Sequence, residues 1–306
     1  MRDATEIQEA LRRSRVWLAA TGSRPEASAR HALQALLGAW ACTRALADED
    51  APELRSLAGV ALAKLSRGES DLRVHDAKLL LVCLHALERL GLEAPGLRAF
   101  ADSLAAELAS LPRIPARQAG VAGVLHQLGR PISPAVVEQP PEPSLDGLLR
   151  GGPESVRAAC SAVAAASHFG ARRIAPPAFE ALRRTLPVLF VQSLRAYDLD
   201  TAAMLLRASR YLRLRRSGRI GEGVAFLLDQ QKPDGRFGYF AVEASGIARS
   251  GDVPGFDETL TLSLPVTSTC AWALAEHVGD GGLLFVRSRG PVRRRPARVL
   301  SVSPTT

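Results

Sequence analysis

Aromatic side chains are scarce in this chain, with 3 Trp, 3 Tyr and 9 Phe among 306 residues. A cavity that steadies a cation on ring faces therefore has few rings to draw on. Cysteines are few and scattered: Cys42, Cys83, Cys160 and Cys270 each stand in an Ala/Leu-rich stretch. That usage excludes a disulfide framework and fits free, buried thiols in a cytoplasmic protein. Neither Cys-x-x-Cys nor His-Glu-x-x-His occurs, so no metal is expected. The glycine run Gly218-Arg-Ile-Gly-Glu-Gly223 has no strand before it, so no nucleotide cofactor is expected either. Long apolar runs are also missing. The longest, around Leu79 to Leu84, is stopped by Lys78 and His85, short of the roughly 18–20 residues of a membrane span. The opening Met-Arg-Asp-Ala-Thr-Glu-Ile-Gln holds no apolar signal core, and a cytoplasmic location is expected.

No acidic residue follows Asp280, while Arg287, Arg289, Arg293, Arg294, Arg295 and Arg298 crowd the end of the chain. Subtracting those six from the net charge of +8 leaves a body of about +2. The body has no global basic field, so nucleic-acid binding by it is not expected. Residues 286–306 read as a disordered Arg-rich tail. As a tether to nucleic acid or an anionic membrane, it would act separately from the folded part.

What is present is Ala, Leu and Val: hydrophobic residues make up 47% and charged residues 23%. This composition predicts a real core, and Ala and Leu favour helix. Residues 51–66 place Leu54, Leu57, Ala58, Ala61, Leu62 and Leu65 at three/four spacing, between Pro52 and Gly68. That is one apolar face with proper start and stop signals. Residues 77–90 are instead apolar almost all round, and Gly91 follows as a C-cap. Such a helix has to be surrounded by others. The contrast recurs: 201–214 and 267–278 are broadly apolar, whereas 95–109 and 218–230 are one-faced.

Twelve helical segments are expected, near 6–20, 28–46, 51–66, 75–91, 95–109, 115–128, 144–150, 153–168, 176–195, 200–214, 218–230 and 266–278. No alternating β-branched run argues for a sheet. Wrapped helices alternating with one-faced ones predict two concentric layers, an all-α ring of helical hairpins spanning 1–285. The Pro-rich stretch 130–146 is a long loop or a divider within it. The Gly/Pro-containing stretch 231–265 is long enough to be functional.

Residues 226–240 read Phe-Leu-Leu-Asp-Gln-Gln-Lys-Pro-Asp-Gly-Arg-Phe-Gly-Tyr-Phe. A helix ending in Leu-Leu-x-Gln-Gln, a Pro-Asp-Gly turn and an aromatic-Gly pair resembles the QW motif of terpenoid cyclases and the repeat of protein prenyltransferase β-subunits. Leu264 to Ala275 resembles the inner helix that follows such a turn. The resemblance covers about residues 190–280 and implies the α/α toroid, a single barrel of two concentric helix layers. Chemically, the turn is bracing. Asp234-Gly235 favours a tight reversal, Gln230 and Gln231 can bond leftover backbone groups at helix ends, Phe237 packs, and Gly238 permits close approach.

A second likeness lies at Tyr197-Asp-Leu-Asp-Thr-Ala-Ala-Met204. Class II cyclases carry Asp-x-Asp-Asp-Thr-Ala, whose middle acid protonates an alkene or epoxide and must be kept protonated. Aligned on Asp200-Thr201-Ala202, this chain has Leu199 at the acid's position and Tyr197 at the first acid. The acids to test are then Asp198 and Asp200, with Asp257 and Glu258 in reserve, although Asp200 also reads as the N-cap of the next helix. Prenyltransferases hold zinc with Asp, Cys and His. Here Cys83 and His85 diverge on one helix, and Cys270 and His277, seven apart, can share a face. His75-Asp76 begins a helix, and His126 and His168 sit near helix ends where positive charge is favoured.

The resemblance implies an apolar small molecule in the axial cavity and acid-initiated cyclisation or isomerisation of the kind found in secondary metabolism. The alternative is a non-catalytic ring that binds a peptide or partner protein.

Overall fold

The computed structural model describes residues 4–48, 51–67, 76–130, 132–133, 137–138, 142–214, 218–238, 257 and 259–278. Twelve α-helices lie among them: α1 (Ala4–Gly22), α2 (Ala29–Leu46), α3 (Pro52–Ser66), α4 (Ala77–Arg89), α5 (Pro95–Ala109), α6 (Ala119–Gln127), α7 (Leu145–Arg150), α8 (Gly152–Ala166), α9 (Glu180–Arg195), α10 (Leu199–Tyr211), α11 (Gly218–Asp229) and α12 (Leu264–Val278). The protein is all-α. No strand is formed among the described residues; Ile114 and Val137 make an isolated bridge, with the Glu138 N–H donating to Ile114 O at 2.9 Å. Among the same residues, no helix is long and apolar enough to cross a membrane.

Helix starts follow local chemistry. Ser28 caps α2 in a reciprocal arrangement with His31, and Ser144 accepts from Gly147 N at the start of α7. Pro52 and Pro95 open α3 and α5, where their missing N–H is harmless. The helix expected from 176 begins only at Glu180, because Pro177 disfavours helical geometry at Pro176 and Phe179 is left-handed. A single π turn, Thr259–Ser263, precedes α12.

The helices divide by burial. In α2 every residue from Ala35 to Thr43 is buried, and in α12 every residue from Cys270 to Glu276. By contrast α5 buries only Ala101, Ala105 and Leu108, one stripe at i, i+4 and i+7. The even-numbered helices pack on one another in sequence: α2 on α4, α4 on α6, α6 on α8, α8 on α10, α10 on α12, and α12 on α2. Odd-numbered helices back them, α1 against α2 and α12, α5 against α4 and α6, and α9 against α10 and α11.

Where α12 meets α2, the Ser268 hydroxyl donates to Gln34 O at 2.9 Å. A Cβ at Gly38 would stand 2.7 Å from that hydroxyl and 2.9 Å from Ser268 Cα. The second distance is to backbone, so the glycine is required by the close approach. All four cysteines are free and buried, and burial pushes the Cys42 and Cys160 thiols up to about 12. The tail from 279 onward lies outside the described residues.

Replacing Gly38 with Val is expected to destabilise the fold by about 1–3 kcal/mol through overpacking. Gly59, on the open side of α3 with nothing near its would-be Cβ, is the control. Gly59→Ala should stabilise by about 0.5–1 kcal/mol, the usual helix-interior gain. Chemical denaturation reads both; equal midpoints for the two variants would contradict the tight α2–α12 contact.

Candidate functional site

Wrapped helices leave little room for charge, so each charged group on them requires an account. On α10, Asp200, Met204, Arg207 and Tyr211 recur at i, i+4, i+7 and i+11, which is one helix face. On α12 the matching stripe is Pro265, Thr269, Trp272 and Glu276, and its first half is partly accessible. Glu276 is completely buried. Its carboxylate accepts from Arg207 Nε at 3.2 Å, Tyr211 OH at 2.7 Å and Trp272 Nε1 at 2.8 Å. The Arg207 guanidinium lies 3.5 Å from the Trp272 ring centroid and donates to Tyr211 OH at 2.8 Å. Burial pushes the Tyr211 phenol well above its ordinary value, so it stays a donor to Glu276. Breaking such a pair by removing one partner costs about 3–5 kcal/mol, because the other charge is left buried alone.

Facing this cluster is Lys78, near the start of α4. Its Cδ would lie 3.6 Å from a Cβ at Gly120 of α6, which would in turn lie 3.7 Å from Ala165 of α8. Its Nζ is 5.8 Å from the Phe169 ring centroid. The side chain is accessible to water, while its stem lies against Gly120 of α6. Burial, and then the charge of Arg207, lower its pKa. Groups from α4, α6, α8, α10 and α12 thus converge on one region.

The two acids of the Tyr197–Met204 stretch have separate roles. The N-cap of α10 is Asp198 rather than Asp200. It accepts from Thr201 N at 3.0 Å and from Thr201 Oγ1 at 2.7 Å, and pairs with Arg157 Nη2 at 3.3 Å. A cap has to stand one residue before the helix, and Asp200 is already inside it. Asp200 sits one turn above Met204, and burial raises its carboxyl pKa, an effect that the Thr269 hydroxyl and the Arg157 and Arg207 charges partly oppose. Leu199, aligned with the family's acid, is buried. Asp257 is a local cap: Oδ1 accepts from Thr259 N at 2.8 Å and Leu260 N at 3.2 Å. Glu258 lies outside the described residues, as does His75.

The turn after α11 joins the two ends of the described chain. Gln231 Nε2 donates to Ala10 O at 2.8 Å, Ser14 Oγ at 2.9 Å and Gly235 O at 3.0 Å, and Gln231 Oε1 accepts from Arg13 at 2.7 Å. Asp234 Oδ1 accepts from Arg236 N at 3.1 Å. Gly235 has φ +98° and lies directly on the Arg13 backbone. Phe237 is wholly buried, and its N–H and carbonyl both meet the Thr267 hydroxyl at 2.9 Å. A Cβ at Gly238 would come 3.3 Å from Ser263 Oγ. Gln230 contributes its backbone N–H to the end of α11.

Among the described residues no three His, Cys, Asp or Glu side chains gather as a metal site would need. The Cys83 thiol lies 3.3 Å from Leu33 O, and that of Cys270 3.8 Å from Leu199 O. His168 corrects the helix-end expectation: it is left-handed just past α8, and burial lowers its pKa, with Arg172 and His126 adding to the effect. The Gly218–Gly223 run lies within α11, where Gly223 lets that helix touch Phe190 of α9.

Sequence reading passed over Arg207, Tyr211, Trp272, Glu276 and Lys78. For Arg207 and Glu276 a signal was there: a charged residue inside a helix apolar on most sides is cut off from water and so needs a partner. No protein-family profile, curated protein or solved structure matches the chain.

Because the fold raises the Asp200 pKa, it favours the protonated acid. Stability from this group is whole below the ordinary value of 3.8 and is lost as pH rises through the raised one. Asp200→Asn is therefore expected to raise the melting temperature relative to the parent at pH 7 and to leave it near the parent at pH 3. The same difference at both pH values would contradict the burial of that carboxyl.

Proposed function

We propose that this protein is an α/α toroid similar to the terpenoid cyclases and prenyltransferase β-subunits, in which the six even-numbered helices surround an axis and the odd-numbered helices form the outer layer. In support, the packing runs from α2 through α4, α6, α8, α10 and α12 back to α2, and the stripes on α10 and α12 carry partly accessible residues, Asp200, Met204, Arg207, Pro265 and Thr269, on largely buried helices. The axial cavity takes an apolar small molecule. The protein is taken to be cytoplasmic, its four thiols free and buried.

The observation that carries a catalytic role is the raised pKa of Asp200, on the same face of α10 as Arg207. An acid initiator has to be protonated when it meets its substrate, and desolvation acts in that direction. Proton transfer from Asp200 to an alkene carbon leaves a carbocation and a carboxylate. Loss of a proton from a neighbouring carbon then restores the acid. The net result is isomerisation or cyclisation without a redox partner. A specific observation favours the second reading, a non-catalytic ring that binds a peptide or partner protein. Asp198 is committed to its cap and to Arg157, so one acid serves where the family has a set.

With linear polyprenyl compounds as candidate substrates, Asp200→Asn is expected to lower turnover by at least about 100-fold, the usual scale of lost general acid catalysis. Asp198→Ala should lower stability by about 1 kcal/mol, as loss of a cap does, and retain turnover. Turnover unchanged in Asp200→Asn removes the acid assignment. Co-purification of one protein partner, together with no product from any polyprenyl compound, favours the binding ring.

A further inference from the structure

The chain holds three lysines, Lys64, Lys78 and Lys232, against thirty-six arginines. Arginine thus supplies almost all of its positive charge. An arginine cannot lose its proton in a protein, whereas a lysine amine can. Lys64 has an ordinary structural role, its ammonium donating to Pro25 O at 3.1 Å, and Lys232 sits on the turn after α11. Lys78 differs from both. Among the described residues no carboxylate or carbonyl lies within bonding distance of its Nζ, and its contact is the face of Phe169. Its stem lies against Gly120 of α6 and its Nζ by Phe169 just past α8, with the guanidinium of Arg207 as the charge that bears on it. Arg207 is itself committed to Glu276 and Tyr211, so it adds repulsion and leaves no acid over for Lys78.

We propose that Lys78 is a carbonyl-reactive amine, which condenses with an aldehyde or ketone on the apolar molecule that enters the axial cavity. The site has what that reaction requires: an accessible amine with no anionic partner among the described residues, apolar surroundings, and a nearby fixed cation. Burial and the neighbouring cation both disfavour the ammonium and leave more free amine at neutral pH, the activation used by imine-forming lysines. The amine lone pair attacks the carbonyl carbon, and the carbonyl oxygen takes up a proton as the amine nitrogen loses one. The carbinolamine then expels its oxygen as water and leaves a C=N bond. Water reverses the sequence, and nothing is oxidised or reduced. The substrate class rests on the cavity reading above, whereas the reactivity of the amine does not.

The test uses the whole chain at pH 7 with sodium cyanoborohydride as trap and two probes, formaldehyde and octanal. Peptide mass spectrometry reads each lysine, normalised to its labelling in the denatured chain. Lys78 is expected to label at least about tenfold faster than Lys64 and Lys232 with both probes. Lys78→Arg, which keeps the charge, should remove that product with an unchanged melting temperature. Labelling of Lys78 no faster than that of Lys232 by formaldehyde overturns the amine assignment, whether or not apolar probes bind. Fast labelling by formaldehyde with none by octanal overturns the apolar carbonyl class and, with it, the axial cavity.

Discussion

Helices that are apolar on every side cannot face water, and this one constraint organises the protein. α12 illustrates it. From Cys270 to Glu276 every residue is buried, so the helix needs neighbours all around it, and it finds them in α1, α2 and α10. The last described helix is thereby packed against the first two. Contact at this distance depends on small residues and satisfied backbone: Gly38 for lack of a Cβ, Ser268 on Gln34 O, and Thr267 bonded to both ends of the Phe237 peptide. The Gln231–Gly235 turn fastens the same seam to α1 from outside. The residues that resemble a cyclase motif are, in this chain, the clasp between its first and last described helices.

Enclosing helices in this way makes any charge on them consequential. Arg207 and Glu276 lie sixty-nine residues apart in sequence, yet they meet at 3.2 Å, with Tyr211 and Trp272 completing the carboxylate's partners. A fully bonded buried pair adds little net stability but tolerates no missing member. Its presence sets the conditions for its neighbours. Arg207 opposes the ammonium of Lys78 and, with Arg157 and Thr269, moderates the rise in the Asp200 pKa. One buried cation thus affects the two groups on which chemistry is proposed.

Much of the secondary structure was legible beforehand because its causes are local. Periodicity, Pro at helix starts and Gly at helix ends act within a few residues of where they stand, and the expected segments lie close to α1–α12. The departures have local causes as well. Pro176-Pro177 delays α9 to Glu180, and burial outweighs the helix-end field at His168. Wrapped and one-faced helices could be told apart for the same reason, since the number of apolar sides is written along the helix itself.

The site was far less legible. Sequence alone determined that the chain is helical, which helices are enclosed, and that Asp198 and Asp200 flank a helix start. Which of the two carboxylates caps and which is desolvated depends on Arg157 of α8 and Thr269 of α12. Likewise, Lys78 is an unremarkable helix-start lysine until Gly120 of α6, Phe169 and the charge of Arg207 are brought to it. Partner choice and desolvation are set by groups distant in the chain and near in space, and only the tertiary structure decides them.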